Sequence, residues 1–374
     1  MRDAVDAAYN GKVVGYQLGI MQSGRIVHLH GAGLKNRELN LPMTTLDRQS
    51  LASVSKMLTA VTVLKMVEDG DLDLNDRMVD YLYLPNQTPH EELYYLPEDQ
   101  LMDPSLEDVR IIELLTYTAR FASSSSSSAL WAGSRIASAC DANLLNDTSW
   151  IPNPSMRCND GYQNSAYGIA GFIAMQLANV TSEAYENTTD WQQFNWDYWM
   201  RDVHLDGMHC TIPSTDTMGS YTACMPGSAN CNDGFKTNVV EDPGYCLSGS
   251  WRGNSEDLLY LLSAMRYGKI LGSEMTNLLL SKTLQSFKPS IQQPNIEGSV
   301  ALGWNSGAVN IAGTDEKGLR KAGGAGGVAA YVYHLPRNVD VALIMNTNGC
   351  STTSDPCPSL EATIREAFEL AIEQ

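Results

Sequence analysis

Strand-like segments stand at both ends of this chain, and helix-like segments fill the middle. Residues 12–31 read KVVGYQLGIMQSGRIVHLHG, two apolar-rich runs around QSG, which predicts a β-hairpin. Near the other end, GGVAAYVYHLPRNVDVALIMN places two strands around PRN, and a helix follows over about 358–373. Between them, helical spacing runs through 50–69, closed by Gly70, through 106–118, and through 164–178, which is rich in small residues. A further amphipathic helix spans 255–267, with Ser255 as the expected cap and acids in its first turn. The economical arrangement is one antiparallel sheet built from both termini and flanked by helices, an α+β fold. Residues 1–70 and 248–374 then form the sheet domain, and 71–247 a mainly helical insertion with a Cys-rich excursion near 200–246. No internal repeat is visible.

A chain of 374 residues has ample core, and 43% apolar with 18% charged residues marks it as globular. No apolar run approaches the roughly 20 residues of a membrane span. The formal charge of −18 disfavours nucleic acid and anionic membranes as partners. Eight cysteines sit at 140, 158, 210, 224, 231, 246, 350 and 357, without a CxxC pair, so a zinc ribbon is not indicated. An even count in loop-like sequence suggests disulfides and an oxidising compartment, with Cys350 and Cys357 as a local pair. Four glycosylation sequons start at Asn86, Asn146, Asn179 and Asn187. Together these features favour a secreted or endomembrane-lumen glycoprotein. The opening MRDAVDAAYNGK lacks a signal-peptide core, so a leader is expected to lie outside this sequence. The six serines at 123–128 read as a flexible loop.

The stretch SLASVSKMLTAVTVLKM, residues 50–66, places hydroxyls and an ammonium at the mouth of an apolar helix. Residues three apart share a helical face, so Ser53 and Lys56 are neighbours, whereas Ser55 points about 200° away from Ser53. A serine hydroxyl needs a base to become a nucleophile, and a buried lysine needs a partner or neutralisation. Ser-x-x-Lys answers both needs in one turn, where free backbone N–H groups favour a developing oxyanion. The competing reading has Ser50 or Ser53 capping the helix and Lys56 reaching solvent.

Two further elements follow in order. GYQNSAYG offers Tyr162 and Asn164 ahead of a close-packing helix. KAGGAGG, from Lys321, puts a lysine and glycines on a strand, where backbone can approach a ligand. Ser53-x-x-Lys56, Tyr162-x-Asn164 and Lys321-x-Gly323 together resemble the three motifs of the penicillin-recognising serine hydrolases. The Tyr-x-Asn form is similar to class C β-lactamases, D-stereospecific peptidases and family VIII esterases. SVSKMLTAVTVLKMVEDGDLDLNDRMVDYL, VRIIELLTYT, SGSWRGNSEDLLYLL and ALGW also resemble family segments.

The resemblance implies a β-lactamase/transpeptidase-like fold and roles residue by residue. Ser53 is expected as the acylated nucleophile, with Lys56 or Tyr162 as its base. Asn164 is expected on the substrate's acyl side, and Lys321 and Gly323 in substrate binding, with Lys321 favouring an ionised Tyr162. The backbone N–H groups of Ser53 and Gly324 form the expected oxyanion hole. The expected partner is a small-molecule or peptide-like acyl substrate: an ester, a D-amino-acid amide or a β-lactam. No metal and no cofactor is implied, and the oligomeric state stays open. Three departures matter. Lys-Thr-Gly reads Lys-Ala-Gly, and Ala322 removes a hydroxyl used for the substrate carboxylate, which favours esterase activity. The family's HTSG reads YTAR over Tyr117–Arg120. The Cys-rich excursion has no counterpart. A pair of imidazoles on one strand face, His28 and His30, reads as strand surface rather than a metal site. DGDLDLND, with Leu74 where a calcium loop needs glycine, reads as a helix exit.

Overall fold

The computed structural model describes residues 1–82, 109–116, 119, 164–178, 188–210, 218–222, 235–237, 246–280, 302–311, 314–325, 327–347 and 360–372. The elements used below are helix α1 (Arg2–Tyr9), strands β1 (Gly15–Gln22), β2 (Arg25–Asn36), β3 (Leu41–Pro42) and β4 (Gln49–Ser50), and helices α2 (Ser55–Asp69), α3 (Met78–Leu82), α4 (Ile111–Leu115), α5 (Asn164–Leu177) and α6 (Thr188–Asn195). Strands β5 (Ser220–Thr222), β6 (Phe235–Thr237) and β7 (Arg252–Gly253) follow, then α7 (Ser255–Arg266) and α8 (Ser273–Leu279). The chain ends in β8 (Asn305–Ile311), β9 (Thr314–Ala325), β10 (Val328–Leu335), β11 (Val339–Met345) and α9 (Leu360–Ile372).

Seven antiparallel strands form the main sheet in the order β3-β2-β1-β11-β10-β9-β8. The first hairpin turns at Ser23 and Gly24, both at positive φ (49° and 78°), the geometry that matches strand twist in a two-residue loop. The N-terminal β1 pairs with the C-terminal β11, Leu18 opposite Leu343, so the two chain ends close one sheet. Every residue of β11 is buried, as a central strand covered on both faces requires. On one face Tyr16, Leu18, Leu343 and Met345 pack with Val5 and Tyr9 of α1 and Ile364 and Phe368 of α9. On the other, Ala330, Val332, Ala342 and Ile344 join the larger core of α2, α5 and α7. A side chain at Gly19 would meet Leu259 Cδ1 at 2.8 Å, so α7 lies directly on β1. The expected α+β sheet from both termini is the observed one.

Local boundaries differ in three places. The helix expected over 50–69 opens as a separate 3-10 turn, Ala52–Val54, before α2 begins at Ser55; Gly70 closes it at φ 86° with its N–H on the Met66 and Val67 carbonyls. Ser255 is not the cap of α7. Asn254 is, with extended backbone, a side chain that accepts from the Asp257 N–H at 2.8 Å, and its own N–H donating to Asp257 Oδ2 at 3.0 Å. The Ser255 N–H instead donates to Gln17 Oε1 at 3.0 Å, tying helix to sheet. Of the helix expected over 106–118, residues 109–116 are described, and of these Ile111–Leu115 are helical.

The Cys-rich excursion is held at both ends. Cys210 and Cys246 form a disulfide with Cα atoms 5.8 Å apart. At the far side, the Tyr221 N–H donates to the Gly327 and Asn346 carbonyls (3.1 and 2.9 Å), and the Gly219 N–H to Lys35 O (2.8 Å). The excursion thus reaches the sheet end beside the β9–β10 turn. Cys140, Cys158, Cys224, Cys231, Cys350, Cys357, the asparagines of the four sequons, the serine run and Tyr117, Thr118 and Arg120 lie outside the described residues. Among the described residues no helix is long and apolar enough to cross a membrane.

One buried charge cluster pins α7 to the sheet. Asp340, fully buried, accepts from Arg266 Nη2 at 2.7 Å and Nε at 3.2 Å, and pairs with His334 Nδ1 at 2.7 Å. Removing the acid leaves the largely buried guanidinium without its counter-charge, held among the described residues only by the Leu335 and Val339 carbonyls and Asn338 Oδ1. Asp340→Ala should therefore lower the unfolding free energy by about 3 kcal/mol in urea titrations; a loss under about 1 kcal/mol would show that the pair is not holding α7.

Candidate active site

The 3-10 turn is where helix and sheet meet. Ala52 sits at φ 45°, an uncommon conformation for a residue with a Cβ. It is held from both sides: the Leu51 N–H donates to Trp251 O (2.8 Å), and the Ala52 N–H to Ser50 Oγ (3.3 Å). The small β4–β7 ladder, Gln49 opposite Gly253, fixes the approach. Ser53, half-buried, follows at once. Ser55 turns the other way, and its Oγ accepts from the Trp251 N–H at 3.1 Å. No side chain caps α2. The capping reading of Ser50 or Ser53 therefore fails, and so does the solvent-reaching Lys56.

Lys56 is fully buried. Its Nζ donates to Ser53 Oγ at 3.1 Å, Asn164 Oδ1 at 2.7 Å and Ser248 O at 2.6 Å. It also lies 6.0 Å from the ring centre of Tyr167, whose hydroxyl donates to Leu115 O at 2.7 Å. Burial, and then the like charge of Lys321, hold the Lys56 ammonium well below the ordinary lysine range. A neutral amine in the same place donates to Asn164 and Ser248 and presents its lone pair to the Ser53 hydroxyl. The geometry therefore suits a serine whose proton passes to lysine.

Lys321, on β9, is also fully buried, and burial pushes it down to about 7. Two residues on, a Cβ at Gly323 would lie 2.3 Å from Leu51 O and 2.9 Å from Ser53 N. Only glycine lets β9 lie against the turn that carries Ser53. At Gly324 the same construction meets nothing within 4 Å among the described residues, and Ala322 and Gly324 are exposed.

The structure thus brings together Ser53, Lys56 and Asn164, and sets Gly323 of β9 against the Ser53 turn. Tyr162 lies outside the described residues. Two participants were missed from sequence. Ser248 contributes a backbone carbonyl, for which no residue type signals. Tyr167 stands three residues after Asn164, so the shared helical face was available as a clue. His28 and His30 stack at 5.9 Å, and His30 Nε2 lies 3.6 Å from Asp6 Oδ1; among the described residues no group of three His, Cys, Asp or Glu is placed to hold a metal.

A sheet closed by both termini, with a Ser-x-x-Lys turn wedged against its glycine-bearing strand, defines the fold of the β-lactamase and penicillin-binding enzymes. The chain belongs to the Beta-lactamase family, whose model matches residues 1–362. Protein flp of Staphylococcus aureus (strain MW2) is 21% identical over 351 residues, covering 90% of this chain and 60% of that protein. The chain spans about 60% of the length of the curated relatives it matches. FmtA from Staphylococcus aureus superimposes with a TM-score of 0.67 at 14% identity, covering 98% of this chain and 87% of that one. The D-alanine carboxypeptidase AmpC from Burkholderia cenocepacia gives 0.63 at 15% identity, covering 100% and 99%. The octameric penicillin-binding protein homologue from Pyrococcus abyssi gives 0.65 at 18%, covering 99% and 76%. These likenesses are of fold.

Burial of Lys321 has a thermodynamic signature. The folded protein releases its proton near 7, while the unfolded chain holds it to about 10.5. Across that window the unfolded state binds more protons, so stability rises with pH. The unfolding free energy of the wild type minus that of Lys321→Met should climb between pH 7 and 9, by at most about 1.4 kcal/mol per unit. A flat or falling difference would mean that Lys321 is hydrated.

Proposed function

We propose that this protein is a serine hydrolase working through an acyl-enzyme, with esters as its favoured substrates. The observation that carries the reading is Ser53 Oγ, 3.1 Å from the Nζ of a buried lysine whose charged form is disfavoured. As the free amine, Lys56 takes the Ser53 proton while Oγ bonds to the acyl carbon. The carbonyl electron pair moves onto oxygen, which the backbone N–H groups of Ser53 and Gly324 stabilise. The tetrahedral species collapses, the bond to the leaving oxygen breaks, and Lys56 returns its proton to that alcohol. Water then repeats the sequence on the acyl-enzyme and releases the acid.

Tyr162 is the second candidate base. Asn164 has its Oδ1 engaged by Lys56, so its amide N–H groups are the part that serves a substrate carbonyl. Gly323 holds β9 against the Ser53 turn, and the buried Lys321, when protonated, adds positive potential beneath the site. Ala322, exposed on β9, offers no hydroxyl to a substrate carboxylate, which supports esters over β-lactams and D-peptides. The D-alanine carboxypeptidase among the similar structures supports a second reading, hydrolysis of a D-amino-acid peptide. The Cys210–Cys246 disulfide supports a secreted or endomembrane-lumen setting.

Intact-mass spectrometry after exposure to a fluorophosphonate, a penicillin and p-nitrophenyl butyrate tests this. The wild type should gain a phosphonyl adduct and turn over the ester, while Ser53→Ala should lose the adduct and about 10³-fold or more of the rate. Ala322→Thr should raise penicillin acylation about tenfold relative to the ester. Folded protein that none of the three reagents touches is instead a binding scaffold of the same fold.

A further inference from the structure

We infer that the Cys210–Cys246 disulfide is a positioning device for the reaction, because it clamps the segment 246–253 whose backbone holds the Ser53–Lys56 pair. The inference rests on the hydrolase reading above.

The segment touches the catalytic stretch at successive points. Leu247 O accepts from Thr59 Oγ1 at 2.6 Å. Ser248 O accepts from Lys56 Nζ at 2.6 Å. The Trp251 N–H donates to Ser55 Oγ at 3.1 Å, and Trp251 O accepts from the Leu51 N–H at 2.8 Å. Arg252 and Gly253 complete the ladder with Gln49 and Ser50. One short run of backbone thus fixes the turn before Ser53, the first turn of α2 and the lysine itself. The run also seats α5. A Cβ at Gly171 would meet Leu247 Cδ2 at 2.8 Å, so Leu247 is wedged against the helix that begins with Asn164.

What backs the segment is residues 209–210. The His209 N–H donates to Arg252 O (3.2 Å), and the Arg252 N–H to His209 O (2.7 Å). Cys210 is bonded to Cys246, and its N–H donates to Gln192 Oε1 at 2.6 Å on α6. Both sulfur-bearing residues are buried. The segment is therefore pinned at its start by the disulfide and near its end by the bridge to His209. Ser248 and Leu247, the residues that hold Lys56 and Thr59, lie directly beside the disulfide end. Among the described residues the disulfide is the tie that holds Cys246 to the Cys210 side, and a hydrogen bond of 2.6 Å to an amine tolerates little displacement.

The positional effect separates from a stability effect by pH. Loosening the segment admits water to Lys56, which relieves the burial that disfavours its ammonium. Among the described residues Lys321, on β9, is the charged group that shifts it, and it stays where it is. The acid limb of the rate profile should then move to higher pH.

The test compares the whole wild-type chain with C210S/C246S, each counted by fluorophosphonate active-site titration. With p-nitrophenyl butyrate, kcat/KM of the double variant should fall about tenfold, mostly in kcat, and its acid limb should move to higher pH. Thr59→Val, which keeps the disulfide and cuts only the Leu247 tie, should show the same alkaline movement with a loss of about threefold. It decides the matter if the double variant does not fold: an unmoved limb in Thr59→Val then overturns the inference. A folded double variant with unchanged kcat/KM and limb overturns it too, while leaving the hydrolase reading intact. A wild type that takes no Ser53 adduct overturns both.

Discussion

Burial of the Lys56 amine is the constraint on which the rest of the site depends. A lysine nitrogen stripped of water must be met by acceptors or give up its proton. Here the acceptors come from three separate parts of the chain: Ser53 from the 3-10 turn, Asn164 from the start of α5, and the Ser248 carbonyl from the segment before β7. Each of those parts must be held to within a fraction of an ångström, and much of the surrounding structure can be read as the means of doing so.

The sheet supplies the rigid side. Closing it with strands from both ends of the chain puts β11 at its centre and leaves β9 free to carry Lys321 and Gly323 to the helix side. Gly323 lets the backbone of β9 touch the Ser53 turn, and that contact brings the second buried lysine close enough to disfavour the charge on the first. The positive φ of Ala52 is the local strain that this junction stores, and the Trp251 and Ser50 hydrogen bonds hold it in place.

Much of this was legible in the residues. Period-two runs at both ends and helical spacing between them give the α+β arrangement, because burial on one face leaves its period in the sequence. The Ser53–Lys56 adjacency follows from three-residue spacing alone, and Gly323 from the need for close approach. The break between the 3-10 turn and α2 was not legible, since apolar spacing reports a face and not the sign of φ at Ala52. The cap of α7 was misplaced by one residue for a related reason: Asn254 and Ser255 are both good caps, and the backbone tie of Ser255 to Gln17 decides between them. The Ser248 carbonyl was invisible because every residue has one. Burial of Lys56 depends on walls contributed by residues 108 and 192 positions away, which no local pattern reports.

The most direct measurement is the rate at which a fluorophosphonate labels Ser53 as a function of pH, in the wild type and in Lys56→Met. The account predicts a limb well below the ordinary lysine range in the wild type, and a fall of about 10³-fold in the variant with the fold retained. Labelling of Lys56→Met within about tenfold of the wild type, with an unchanged limb, would contradict the claim that this lysine activates Ser53.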